Sequence, residues 1–187
     1  MLGKKEKLEG KLRTREYVSP CGKLLLGVSE QRLCMCDWMV GERIEKTMAR
    51  LRRYRDPVDK LDDIHVLDRA GRQLDEYFDG RRISFDLPLL PFGTSFQKAV
   101  WDTLSTIPFG TTLSYLDIAR MLSRPESVRA VANAIGANPI SIFIPCHRVI
   151  GSDGSITGYA GGKDAKRYLL GLESKTYKPN VGLSVLN

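Results

Sequence analysis

With 187 residues, 42% of them hydrophobic and 27% charged, the chain has the size and balance of an ordinary globular protein of one domain or two small ones. No apolar run approaches the length of a membrane span, and Met1-Leu2-Gly3-Lys4-Lys5 lacks the apolar stretch that follows the charges of a signal peptide, so a cytoplasmic protein is expected (nuclear if the source is eukaryotic). A net charge of +7 admits a polyanionic partner without requiring one, and residues 92–187 are poor in acids, with 10 Lys/Arg against 6 Asp/Glu where residues 1–91 hold 19 against 16.

Residues 12–18 and Lys23–Ser29 read as strands joined by the turn Ser19-Pro20-Cys21-Gly22, and Leu33–Met39 as a third, together an antiparallel meander. Cys34 and Cys36, two apart on a strand, share a face. With Cys21 and His65 they could be drawn as a zinc site, but no paired C-x₂-C spacing supports one, and buried or half-buried thiols in a reducing compartment are the plainer reading. Arg50-Leu51-Arg52-Arg53-Tyr54-Arg55 is the densest basic patch, either a solvated face or a nucleic-acid contact. Val66, Ala70, Leu74 and Tyr77/Phe78 recur at helical spacing from His65, and Asp79-Gly80 ends that helix. Ile83–Leu87 reads as a further short strand, and Pro88, Pro91 and Gly93 as a linker. The fold class expected is α/β: a small N-terminal domain, residues 1–91, with an antiparallel sheet and helix, then a mostly helical domain, residues 92–187.

In the second half, Thr94 with Gln97 forms a capping box for a helix whose apolar stripe is Phe96, Val100, Trp101 and Leu104. Ser114 caps Tyr115–Leu122, with Leu116, Ile118, Ala119 and Leu122 available to the core. Ser123-Arg124-Pro125-Glu126 turns the chain into a second helix, Ser127–Ile135, with Val128, Val131 and Ile135 on one side. Two short helices joined this way suit a helix-turn-helix of the winged type, although helical hairpins in general look alike. The outer side of the second helix is nearly all small residues, leaving Arg129 as the long side chain that could reach into a groove. Gly151-Ser152-Asp153-Gly154 is a turn, and Thr157–Gly162 a flexible loop in which the chain can approach a ligand closely. Asp164–Glu173 is a last helix with Ala165, Tyr168, Leu169 and Leu172 inward. Its terminal Glu173 opposes the helix dipole, so the carboxylate either finds a compensating partner or is solvated.

The chemistry centres on Ile142–Ile150, an apolar run that delivers Pro145-Cys146-His147-Arg148. Cysteine is among the most buried residue types, and an inert core thiol is one reading. The other is a nucleophile whose thiolate is favoured by the adjacent His147 and Arg148.

Gly136-Ala137-Asn138-Pro139, Pro145-Cys146-His147-Arg148-Val149, Gly158-Tyr159-Ala160-Gly161-Gly162 and Arg129-Ala130-Val131 together resemble the O6-alkylguanine-DNA alkyltransferase family, over roughly Thr94–Glu173. The N-terminal domain is similar only loosely, through Ser19-Pro20 and Gly22-Lys23. The resemblance implies suicide DNA repair: one-step transfer of an alkyl group from guanine O6 in double-stranded DNA to Cys146, by a monomer with no cofactor. His147 would take the cysteine proton through a water, Glu173 would orient the imidazole, and Asn138 would be the hinge between the second helix and the Cys146 segment. The base would be flipped out, with Arg129 filling the stack and Tyr115 pressing on the phosphate and donating to the departing base. Ala130, Arg124 and Ser152 would join the DNA contact; Ile135, Val149, Tyr159 and Ala160 would line the pocket with Tyr115. Some family members carry a structural zinc, and the Cys/His pattern here does not reproduce it, so no metal is expected. Relatives that recognise alkylated bases without repairing them have tryptophan where this chain has Cys146. A non-catalytic lesion sensor and a cysteine hydrolase are the rival readings. The choice between methyl and bulkier groups, and action on O4-alkylthymine, are left open.

Overall fold

The computed structural model describes residues 12–54 and 63–176, so Met1–Lys5 and Arg55 lie outside the described residues. Three antiparallel strands, β1 (Arg13–Ser19), β2 (Gly22–Ser29) and β3 (Arg32–Trp38), form a meander in the order β1-β2-β3. Helix α1 (Arg43–Tyr54) follows, then α2 (Asp63–Phe78). The stripe Val66, Leu67, Ala70, Leu74 and Tyr77 buries α2 in a core shared with Leu24, Leu26 and Val28 of β2. Cys34 and Cys36 are both fully buried, and Cys34 Sγ donates to the Gly27 carbonyl, whereas His65 is exposed on α2.

Two expectations for this half change. Residues 50–54 of the patch Arg50–Arg55, read without an element, belong to helix α1, in which Ile44, Met48 and Leu51 carry the period among the charges. Ile83–Leu87 forms no strand. Its Ile83 is 59% exposed, and the ladder to β3 is made further on, where Leu33 N–H donates to the Pro88 carbonyl and Leu90 N–H to the Leu33 carbonyl.

The second half runs α3 (Ser95–Ser105), β4 (Leu113–Ser114), α4 (Tyr115–Met121), α5 (Val128–Gly136), β5 (Val149–Ile150) and α6 (Gly162–Thr176). Thr94 and Gln97 make the capping box of α3, and Ser114 with Asp117 makes another on α4. Between α4 and α5 lies the turn Pro125–Ser127, completing the helix-turn-helix; β4 and β5 pair in parallel beside it. Val100, Trp101 and Leu104 of α3 pack with Ile118, Val131 and Ile135, and the buried Trp101 indole donates to the Ala134 carbonyl at 2.8 Å, fixing α5 on α3. On α6, Ala165 and Leu169 are buried and Leu172 half-buried. Tyr168, expected inward, is 40% exposed, with its ring tilted against Phe78 at a centroid distance of 6.3 Å.

The two halves meet along β3. Cys36 N–H donates to the Pro139 carbonyl, and Ser141 N–H to the Cys36 carbonyl. The edge of β3 is thus capped by the chain leaving α5, which satisfies its backbone groups and seats residues 138–141.

Candidate active site

The run Ile142–Ile150 does not continue as strand. Ile144 N–H bonds the Ile140 carbonyl, Ile142 is held at φ 73 although β-branched and buried, and Cys146–Arg148 is a single 3₁₀ turn. An L residue in the left-handed region costs about 1–3 kcal/mol and persists only where its surroundings dictate it. The turn sends the Cys146 side chain to Asn138 and those of His147 and Arg148 together to Glu173.

Cys146, 4% exposed, receives a hydrogen bond from Asn138 Nδ2 at 3.1 Å. The same amide nitrogen donates to the Ile144 carbonyl at 2.9 Å, and Asn138 Oδ1 accepts from Ile140 N–H. Asn138 is fully buried just past the end of α5, so one side chain ties that helix to the thiol. Burial pushes the Cys146 thiol up; the Asn138 hydrogen bond and the charges of Arg43 and Lys166 oppose that push without cancelling it. This corrects the expectation that neighbouring His147 and Arg148 favour the thiolate: both turn away from it.

His147 Nε2 lies 2.8 Å from Glu173 Oε1. The carboxylate can only accept, so Nε2 carries the proton and the buried Nδ1, which has no protein partner among the described residues, is the basic nitrogen. Burial lowers the His147 pKa, with the Glu173 contact acting against it, and the ring is neutral. Glu173 accepts from Tyr77 hydroxyl, His147 and Arg148 Nη2 on Oε1, and from Arg148 Nε and Gly110 N–H on Oε2, all within 2.8–3.0 Å. Burial would raise its pKa, but these donors and the Arg148 charge hold it well below the usual carboxylate range. Arg148 is therefore the compensating partner the helix-end carboxylate needed, and its Nη1 also donates to the Ile107 carbonyl. Sequence reading missed both Arg148 in this role and Tyr77, which comes from the N-terminal domain.

The residues expected to line a pocket lie on β5, on α5 and in the loop before α6. Val149 and Ile135 are buried, Ala160 and Tyr159 half-buried. Tyr159 meets Trp38 and His147 edge-on, at centroid distances of 5.8 and 6.4 Å. The loop expected to be flexible is fastened: a Cβ at Gly161 would lie 2.4 Å from the Trp38 ring, so only glycine lets the chain lie against that indole. Lys166, fully buried, donates to the Val149 carbonyl at 2.6 Å and reaches the Thr157 carbonyl at 3.4 Å. It too escaped the sequence reading, being one of three lysines on α6.

Outside, Tyr115, Arg129 and Ser152 line one open groove of ≈ 670 Å³ together with Val128, Ala132 and Glu126. Tyr115 hydroxyl accepts from Thr157 Oγ1 at 3.0 Å. Arg129 and Ala130 are exposed on the outer side of α5. Arg124 stands apart from this groove, its guanidinium 5.7 Å from the Phe96 ring.

Models of two domains match the chain: "6-O-methylguanine DNA methyltransferase, ribonuclease-like domain" over residues 12–91 and "6-O-methylguanine DNA methyltransferase, DNA binding domain" over residues 95–175. The chain belongs to the 6-O-methylguanine DNA methyltransferase family. A methylated-DNA--protein-cysteine methyltransferase of Methanosarcina barkeri is 44% identical over 160 residues, 86% of this chain and 96% of that protein. The crystal structure of the Mycobacterium tuberculosis O6-methylguanine methyltransferase superposes with a TM-score of 0.74 at 37% identity, covering 91% of this chain and 97% of that one. The same mycobacterial protein in complex with DNA gives 0.73 at 38% identity, covering 89% and 95%. In this chain Cys146 is held by Asn138, and His147 and Arg148 by the buried Glu173, while Arg129 stands exposed at the outer groove. No helix among the described residues is long and apolar enough to cross a membrane.

Proposed function

We propose that the protein repairs DNA by moving the alkyl group of O6-alkylguanine onto Cys146, once per molecule. The observation that carries this is the pair of buried sets Asn138–Cys146 and His147–Glu173–Arg148, brought together by the one turn that holds residues 146–148. The target atom lies inside the duplex, so the nucleotide turns out through the minor groove, Arg129 of α5 takes its place in the stack, and Tyr115 presses on the turning phosphate. Ala130, Ser152 and Arg124 contact the backbone around it. The base enters between Ile135, Val149, Tyr159 and Ala160.

The thiol is protonated at rest, so catalysis needs a base. Its proton passes through a water to His147 Nδ1, and Glu173 stabilises the imidazolium that forms. The thiolate then attacks the alkyl carbon. The S–C bond forms, the C–O6 bond breaks with its electron pair going to the base, and Tyr115 donates a proton to the departing guanine. The product thioether has no leaving group to regenerate the thiol, which makes the reaction stoichiometric. Asn138 acts as the hinge that holds α5 and the nucleophile in register.

The protein works as a cytoplasmic monomer (nuclear in a eukaryote). We set its domain boundary between residues 91 and 92, in the Pro88–Gly93 segment. A non-catalytic lesion sensor has no need of a cysteine followed in the chain by a histidine held on a buried carboxylate. A hydrolase needs its histidine against the thiol, where Cys146 instead holds Asn138. The test is titration of a duplex containing O6-methylguanine: restored guanine should rise one for one with protein and then stop. Continued product formation would indicate turnover chemistry, and selective lesion binding without restoration would indicate the sensor.

A further inference from the structure

Helix α1 carries a row of cations that alkyl transfer leaves without a task. Arg43, Lys46, Arg50 and Arg53 recur at i, i+3, i+7 and i+10 along one shoulder of the helix, while Thr47 and Leu51 turn inward beside them. The row spans about 15 Å at the rise of an α-helix. Its first member is fixed: Arg43 Nε pairs with buried Asp37, which also accepts from Thr47, and Arg43 Nη1 and Nη2 donate to the carbonyls of Gly136 and Asn138. The outer stripe of α5 (Arg129, Ala130, Asn133 and Gly136, all exposed) ends at that same Gly136. The exposed face of α5 and the basic shoulder of α1 are thus one continuous surface.

Resting on the DNA-repair reading above, we propose that this shoulder is a second DNA contact, which grips the phosphate backbone of the duplex flanking the lesion beyond the C-terminal end of α5. Its chemistry is that of a polyanion site. It is a row of cations with Glu42 as the one acidic residue in a groove of ≈ 350 Å³ that Arg43, Lys46 and Arg50 line. Glu42 pairs with Lys46 at 3.1 Å, but the two side chains are 80% and 76% exposed, so the pair is weak and the ammonium is easily given up to a phosphate. Arg53 is exposed and offers the bidentate fork suited to phosphate. Arg43 is spent on Asp37 and the two carbonyls and acts as the joint; Lys46 and Arg53 do the reaching.

The experiment compares the full-length protein with the double variant Lys46→Gln/Arg53→Gln on a lesion-containing duplex with long flanks, measuring affinity against salt. Both side chains are exposed, so the variant's melting temperature should match the wild type and report intact folding. Removing one phosphate-neutralising cation flattens the log–log salt slope by about 0.9. The variant should therefore bind more weakly at low salt with a slope shallower by roughly 2. Trimming the flank back to the footprint of α5 should abolish the difference between the two proteins. Parallel salt lines on the long duplex, or a difference that survives trimming, would overturn the proposal and leave α1 a solvated face. A wild type that binds no duplex at all would instead sink the repair reading, and this contact with it.

Discussion

At Glu173 a single buried carboxylate collects donors from three side chains and one backbone amide. Replacing it with Gln leaves the nearly buried Arg148 guanidinium without its anion, and breaking a buried pair in this way costs about 3–5 kcal/mol. Denaturant unfolding of Glu173→Gln should show a loss of that order, with transfer slowed as well because His147 loses its orienting partner. The pH dependence has a definite sign. Both His147 and Glu173 have folded pKa values below their ordinary ones, so the unfolded chain binds more protons and stability falls as pH drops. Loss should begin as pH falls through the ordinary histidine value near 6.5, with the Glu173 share following at lower pH, through the usual carboxylate range and below it. Transfer, which needs neutral His147, should have its acid midpoint below that value. Rates that fell toward alkaline pH would contradict this assignment of the base. Cys146 and His147 stood out in the chain as neighbours, with a core thiol and a nucleophile both open. Of the partners of Glu173 only His147 was named, through the family resemblance; Arg148, Gly110 and Tyr77 stand 25, 63 and 96 positions away and only the fold converges them.

The elements that hold these residues show which sequence signals survive folding. Helical periods with caps came through: Thr94/Gln97 and Ser114 start α3 and α4 where expected, and the helix-turn-helix follows. The segment after α5 did not. An apolar run signals strand or buried chain, whereas the actual turn places Ile142 at positive φ, a conformation normally advertised by Gly or Asn. Asn138 holds that turn. Asn138→Ala would strand the buried Ile140 N–H, at about 1–3 kcal/mol, and free Cys146 from α5, while the Ile144 carbonyl keeps the Cys146 N–H. Thermal melting should register the first effect and lesion affinity the second. The loop of residues 157–161 makes a parallel case. Gly161→Ala drives a methyl into Trp38 and should cost about 1–3 kcal/mol by overpacking. A neutral result would mean that the loop is not seated on that ring.

For the whole molecule, the N-terminal domain is part of the active-site support. Tyr77 donates to Glu173, Trp38 underlies Tyr159 and Gly161, and β3 with Arg43 secures the chain around Asn138. The sequence reading set a boundary near residue 91, and nothing in the composition of either half reveals these contacts, since each is a tertiary meeting of residues unremarkable in their own segments. Tyr77→Phe, which removes only the hydroxyl, should lower stability by about 1.5–3 kcal/mol, as expected for a hydrogen bond to a charged group, and slow transfer without altering duplex affinity. Chemistry at Cys146 is the claim on which the rest depends. Its most direct test is intact-mass spectrometry with peptide mapping after incubation with a duplex carrying O6-methylguanine, alongside Cys146→Ala. The account predicts one added methyl group per molecule, on Cys146 and absent from the variant; an unmodified protein, or a methyl group on any other residue, would contradict it.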